Sequence, residues 1–183
     1  DETYFCILFY KKKMKRIAEE IVEGKILISD GAWGTFLQQK GLKPGECPEL
    51  WNINRADDVL EIAKSYIDAG SDMIETNSFG GNAIKLSSYN LESSAHDINK
   101  SAAAISRIAA GPDKHVIGSI GPTGKFLMMG EVDEETLYRV FKEQAMALEE
   151  GGADGIVIET MTDIEEARIA VSAAKENTSC EII

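Results

Sequence analysis

The sequence predicts an α/β fold with a parallel sheet, and a (β/α)8 TIM barrel is favoured over an open doubly wound sheet. Only the N-terminal half of such a barrel is expected, about four βα units plus the start of strand five. Three observations lead there. Short apolar runs alternate with amphipathic stretches from residue 26 onward, the pattern of parallel strands covered by helices. Three of those runs end on a carboxylate: Asp30, Glu75 and Glu159. Both architectures place ligands at the C-terminal ends of strands, so this feature separates them weakly. Finally, "AGSDMIETNS" and "GGADGIVIETMT" repeat one order: small residues, Asp, an apolar strand, Glu-Thr. In a barrel, alternate strands fill the same interior layer, which would set Glu75 and Glu159 at similar height on one rim. Duplication of a βα unit would leave the same echo without any function.

The elements follow in order. Met14 opens a helix, "MKRIAEEIVEG". "KILIS" (25–29) reads as the first strand and "DGAWGT" as a tight loop after it. "KGLKPGECPELWNINR" (40–55) is a loop by composition. Val59, Ile62, Ala63, Tyr66 and Ile67 recur at helical spacing. "DMIET" is the second strand. An irregular stretch leads to a helix near 94–109 with Ile98, Ala102, Ile105 and Ala109 on one face. "HVIGSIG" is the third strand, and "GPTG" (121–124) is a rim-facing turn. Leu137, Val140, Phe141, Ala145 and Leu148 mark the next helix. "GIVIE" is the fourth strand. Asp163, with Glu166 three residues on, forms a capping-box pattern for the helix that follows. "CEII" begins a fifth strand. Four units and a stub leave two exposed strand edges, so the other half is expected from downstream sequence or from a partner chain. Residues 1–13 ("DETYFCILFYKKK") are expected to be an extension outside the domain at 14–183. Their charges follow the apolar run, whereas a secretory signal places them before it.

The chain of 183 residues has a net charge of -12, which argues against nucleic acid or an anionic membrane surface as partner. No apolar stretch reaches the roughly 18–20 residues of a membrane span. Cys6, Cys47 and Cys180 are scattered without ligand-like spacing, and an odd count fits a reducing cytoplasm. Neither G-x-G-x-x-G nor G-x-x-x-x-G-K-[ST] occurs. His96 and His115 read as structural, and no Ser–His–Asp or Cys–His set can be argued.

Candidate site residues therefore come from the strand ends. No Lys or Arg matches Asp30, Glu75 and Glu159 there. A buried carboxylate needs a cation or good donors. Backbone N–H groups and the hydroxyls of Thr35, Thr76 and Thr160 could serve; otherwise a ligand brings the positive charge. That points to an ammonium-bearing or metal-assisted substrate. Gly31, Gly34, Gly80, Gly81 and Gly121 follow strand ends and permit positive φ and close approach. Asn77 and Ser119 add hydrogen-bonding groups on the same rim.

The motifs "DGAWGT", "ETNSFGGN", "GSIGPTG" and "ETMTDIEEA", in this order, resemble the homocysteine-binding domain of the cobalamin-dependent methionine synthases. They also resemble the wider homocysteine S-methyltransferase family, which includes betaine-dependent enzymes. The likeness covers about residues 14–183, and Trp33 stands where methionine synthases often have methionine. The resemblance implies a (β/α)8 barrel and methyl transfer to the thiol of homocysteine, giving methionine. It implies a methyl-corrinoid (cobalamin) donor on another domain or protein, and zinc held by three cysteines to make the reactive thiolate. Those cysteines belong to later strands, one preceding a Gly-Gly-Cys-Cys motif absent from this sequence, so Cys6, Cys47 and Cys180 inherit no metal role. Asp30, Gly31 and Glu159 are matched to groups that bind the amino end of homocysteine. Thr76, Asn77 and Ser119 are matched to rim residues near substrate or zinc, and Glu75 to the motif without an assigned role. The fragment alone is expected to be inactive. Alternatives are a related barrel acting on another thiol, a selenol or a corrinoid protein, or a non-catalytic half-barrel that assembles with a partner.

Overall fold

Along the chain, the helices and strands are α1 (Ile17–Val22), α2 (Trp33–Gln39), α3 (Trp51–Asn54), α4 (Ala56–Asp68), β1 (Met73–Glu75), α5 (Ala83–Leu86), α6 (Ala95–Ala110), β2 (His115–Ile120), α7 (Glu134–Gly151), β3 (Gly155–Ile158), α8 (Ile164–Asn177) and β4 (Glu181–Ile182). They belong to a computed structural model that describes residues 14–183; the expected extension 1–13, with Cys6, lies outside the described residues. The four strands make one parallel sheet in chain order, β1-β2-β3-β4. Among the described residues no helix is long and apolar enough to cross a membrane.

The alternation of side chains divides the sheet into two faces. Ile74, Val116, Ile120 and Ile156 point to the helices and form the core with Leu137, Phe141, Ala145 and Leu148 of α7 and Ala170 and Ala173 of α8. Gly118 lies on that face because a Cβ there would come within 2.9 Å of the Leu148 side chain. The residues that alternate with these, Glu75, Ser119 and Glu159 among them, share the opposite face. The register pairs Glu75 with Ile117, and Ile117 with Gly155. Glu159 therefore stands four residues farther along its strand than the residue in line with Glu75. The two carboxylates share a face and an end of the sheet, but not the ladder level the sequence echo suggested.

Three local expectations are corrected. "KILIS" forms no strand. The Ile28 carbonyl accepts the Asp72 and Met73 N–H groups at 2.7 and 3.1 Å, but the Ile28 N–H goes to the Asp72 side chain at 3.2 Å. A carboxylate thus takes the place of the next rung of the ladder, and Ile26 and Ile28 remain 85% and 60% exposed. Second, "WGTFLQQ" is helical, because Leu37 is buried with Trp51, Val59 and Ile62 in a second cluster. Third, Asp163 caps α8 by accepting the Glu165 N–H, but Glu166 does not close a capping box. It is buried and accepts both the N–H (2.8 Å) and the hydroxyl (2.6 Å) of Thr123. It ties the GPTG turn to α8.

The two ends of the described chain meet at α1. Glu181 accepts the N–H groups of Ile17 and Ala18 at 2.6 and 3.0 Å, satisfying otherwise unpaired donors and favouring the positive end of the helix dipole. Ile17 is buried, and its Cδ1 lies 3.1 Å from the Cβ position of Gly155. Glu181→Ala is expected to cost about 1–2 kcal/mol. Hydrogen exchange should show α1 opening before the sheet; unchanged protection of Ile17 and Ala18 would refute the cap.

Candidate functional site

Asp30, Gly31, Glu75, Thr76, Asn77, Ser119 and Glu159 all line one cavity of about 430 Å³ at the C-terminal ends of the strands. Trp33, Glu49, Ser78 and Phe79 complete much of its wall. Among the described residues, no ion pair involves Asp30, Glu75 or Glu159, and no Lys, Arg or His lines the cavity.

Asp30 is held by donors. Oδ1 accepts the Ser29 hydroxyl and the Glu75 N–H, both at 3.0 Å, and Oδ2 accepts Trp33 Nε1–H at 2.8 Å. Burial raises its pKa, and these donors offset part of the rise. Glu159 Oε1 accepts the Ser119 hydroxyl at 2.5 Å, and Thr160 Oγ1 lies 3.5 Å from Oε2. Thr160 itself adopts φ +57, an uncommon conformation for a β-branched residue that costs on the order of 1–3 kcal/mol. Glu75 is half-buried, and no donor among the described residues reaches its carboxylate. Burial, then the charges of Asp30 and Glu159, push it up to about 7. The alternative of backbone N–H groups and hydroxyls thus holds for Asp30, through the Glu75 N–H and Ser29, and for Glu159, through Ser119 and in part Thr160, while Thr35 and Thr76 serve neither.

Thr76 and Asn77 line the cavity but use their polar side chains on the protein. Thr76 Oγ1 lies 2.5 Å from Ser78 Oγ and accepts the Ser119 N–H at 3.0 Å. Asn77 Nδ2 donates to the Pro48 carbonyl (2.8 Å) and to Asn52 Oδ1 (3.1 Å). Both hold loops in place. The rim glycines also act differently from expectation: none of Gly31, Gly34, Gly80, Gly81 and Gly121 has positive φ. A Cβ on Gly81 would collide with Asn99, and one on Gly121 with the Phe79 ring. Crowding by α6 at Gly81 and by the Phe79 ring at Gly121, not backbone handedness, selects glycine at these two positions.

Glu49 is the site residue that sequence reasoning missed. It is 6% exposed, accepts the Gly80 N–H at 2.7 Å and takes the Cys47 thiol hydrogen bond at 3.3 Å. It lies in an aperiodic loop, so no strand or helix pattern signals it. Burial and then the Glu49 charge push the Cys47 thiol up to about 12; burial and then Glu149 do the same to Cys180. Neither thiol is disposed to be a thiolate ligand, and the described residues hold no group of three or more metal-ligating side chains. They do not fit the zinc that the resemblance implies. His115 is buried at the opposite end of the sheet, at the start of β2, and half-buried His96 pairs with Glu150.

The sequence model described as Homocysteine S-methyltransferase matches residues 27–183. The chain belongs to the homocysteine S-methyltransferase family. Curated relatives include methionine synthase of Mycobacterium tuberculosis (strain ATCC 25618 / H37Rv), 31% identical over 168 residues, and that of Mycobacterium leprae (strain TN), 30% identical over 168 residues. Each match takes in 85% of this chain but 14% of the relative, so this family member spans about one-seventh of their length. Its fold is similar to that of the homocysteine methyltransferase MmuM from Escherichia coli. The oxidised form gives TM-score 0.72 at 21% identity over 90% of this chain and 63% of that one. The metallated form gives 0.73 at 20% identity over 88% and 63%.

Proposed function

We propose that residues 14–183 are the N-terminal part of a (β/α)8 barrel that transfers a methyl group to the thiol of homocysteine, forming methionine. The cavity at the strand ends would receive the amino end of the substrate. The observation that carries this reading is the convergence of Asp30, Glu75 and Glu159 on a cavity whose lining has no cation. An α-ammonium group supplies the missing charge, and charge-assisted hydrogen bonds to carboxylates are the strong ones. Asp30 and Glu159, with the Gly31 backbone beside them, bind and orient that group; Thr76, Asn77 and Ser119 keep the rim in shape. A zinc ion, when bound, would stabilise the substrate thiolate, the reactive nucleophile. Its ligands would come from the remainder of the barrel and the methyl-corrinoid from another domain or protein, so this chain alone would not turn over. A reducing cytoplasm suits its unpaired thiols.

Calorimetry of the chain with homocysteine and with 4-mercaptobutyrate, which lacks the amino group, tests the reading. Homocysteine should bind at least tenfold more tightly; equal affinities would overturn it. A second reading, assembly with a partner chain, is favoured by the exposed Ile26 and Ile28 beside β1 and the half-exposed Ile183 beside β3. Sedimentation separates the two: a stable dimer that binds no homocysteine supports assembly alone.

A further inference from the structure

Three carboxylates share one cavity wall, and their surroundings differ in kind. Asp30 accepts three hydrogen bonds and Glu159 a short one from Ser119. At Asp30 these donors offset part of what burial does to its pKa. Glu75 gives its backbone groups to the fold: its N–H goes to Asp30, and its carbonyl accepts the Ser106 hydroxyl at 3.0 Å. Among the described residues no donor reaches its carboxylate, which faces the charges of Asp30 and Glu159. Glu49, from the loop before α3, adds a fourth acid to the lining, which holds no Lys, Arg or His among the described residues.

We infer that Glu75 is the proton-exchanging group of this site: it holds a proton while the cavity is empty and releases it to solvent when an α-ammonium group settles between the carboxylates. The balance is simple. The ligand enters as R–NH3+ and remains so, Glu75 passes from carboxylic acid to carboxylate, and one H+ goes to the buffer. This rests on the reading of the cavity as an amino-group site and adds to it a control by pH.

The sign of the pH effect follows from burial and the two flanking charges, which hold the Glu75 carboxyl up to about 7 against an ordinary 4.5. Between those values the folded chain binds a proton that the unfolded chain has lost. Stability of the empty protein therefore falls as pH rises through this window, and Glu75→Gln should remove that slope. Ligand affinity moves the other way. Below the free-state value the entering ammonium must displace the proton, so affinity drops by up to about tenfold per pH unit.

The test uses the 183-residue chain carrying 13C-carboxyl glutamate, with homoserine as probe because it has the ammonium but no titrating thiol. One glutamate carboxyl should titrate near neutrality, disappear in Glu75→Gln, and shift downward by at least one pH unit with saturating homoserine. Homoserine affinity should fall between pH 8 and 5.5 in the parent chain and stay flat in Glu75→Gln. If homoserine binds with affinity independent of pH, or no glutamate titrates near neutrality, the exchange is overturned while the amino-group site stands. If the carboxyl titrates near neutrality but neither homoserine nor homocysteine binds, the site reading fails and the exchange with it.

Discussion

Asp30→Ala is expected to lower the affinity for homocysteine at least a hundredfold. The carboxylate is one of two that already hold hydrogen-bond donors of the protein where the proposed ammonium would meet them. A hydrogen bond between charged partners contributes about 1.5–3 kcal/mol, and about 1.4 kcal/mol is a factor of ten. The substitution also leaves three donors without their acceptor: the Ser29 hydroxyl, the Glu75 N–H and Trp33 Nε1–H. Trp33 and the start of α2 then lose their tether to the end of β1. Asp30→Asn separates the two effects. Its oxygen can still accept from Ser29 and the Glu75 N–H, but its amide would face Trp33 Nε1–H with a donor, and it carries no charge. Calorimetry should show the hundredfold loss in both variants, and thermal melts a larger destabilisation in the alanine. Binding within threefold of the parent chain in Asp30→Asn would mean that the ammonium sits elsewhere.

Asn99→Ala should cost about 3 kcal/mol of stability and disorder the rim. Asn99 is fully buried on α6. Its Nδ2 donates to the carbonyls of Gly81 and Ala95, both at 2.7 Å, and its Oδ1 accepts from Gln144 Nε2 at 3.2 Å. Gln144 in turn donates to the Ser78 carbonyl at 2.8 Å. Segment 76–82, which brings Thr76, Asn77, Ser78 and Phe79 to the cavity wall, is thus suspended from side-chain amides on α6 and α7. Removing one member leaves buried groups unpaired at about 1–3 kcal/mol each, and such networks fail cooperatively. In a domain of this size the melting temperature should drop by roughly 6–12 °C. A loss under about 0.5 kcal/mol in urea melts would show that backbone contacts alone support the segment.

Much of this architecture is legible in the chain because its causes are local. The stripe Leu137, Val140, Phe141, Ala145 and Leu148 is buried as its spacing requires, since helical periodicity depends on nothing outside the helix. The runs around Ile74, Ile117 and Ile156 are strands for a similar reason. "KILIS" has the same composition and fails, because a strand exists only through its neighbours, and Asp72 intercepts the N–H that would extend the ladder. Helix α2 is masked in the sequence by Gly31 just before it and Gly34 in its first turn; what makes it helical is burial of Leu37 against residues of α3 and α4. The pattern Asp163–Glu166 is a capping signal by spacing, yet Thr123, 43 positions away, takes the glutamate.

The amino-acid order alone settles that acids close three of the apolar runs and that no basic residue answers them there, since composition and chain direction suffice for that. It leaves open how the three carboxylates differ. That difference comes from partners far along the chain: the Glu75 N–H on Asp30 across 45 positions and the Ser119 hydroxyl on Glu159 across 40. Hydrogen bonds and burial depend on positions in space, so Glu75 becomes the one of the three that no donor among the described residues reaches only once the sheet has formed.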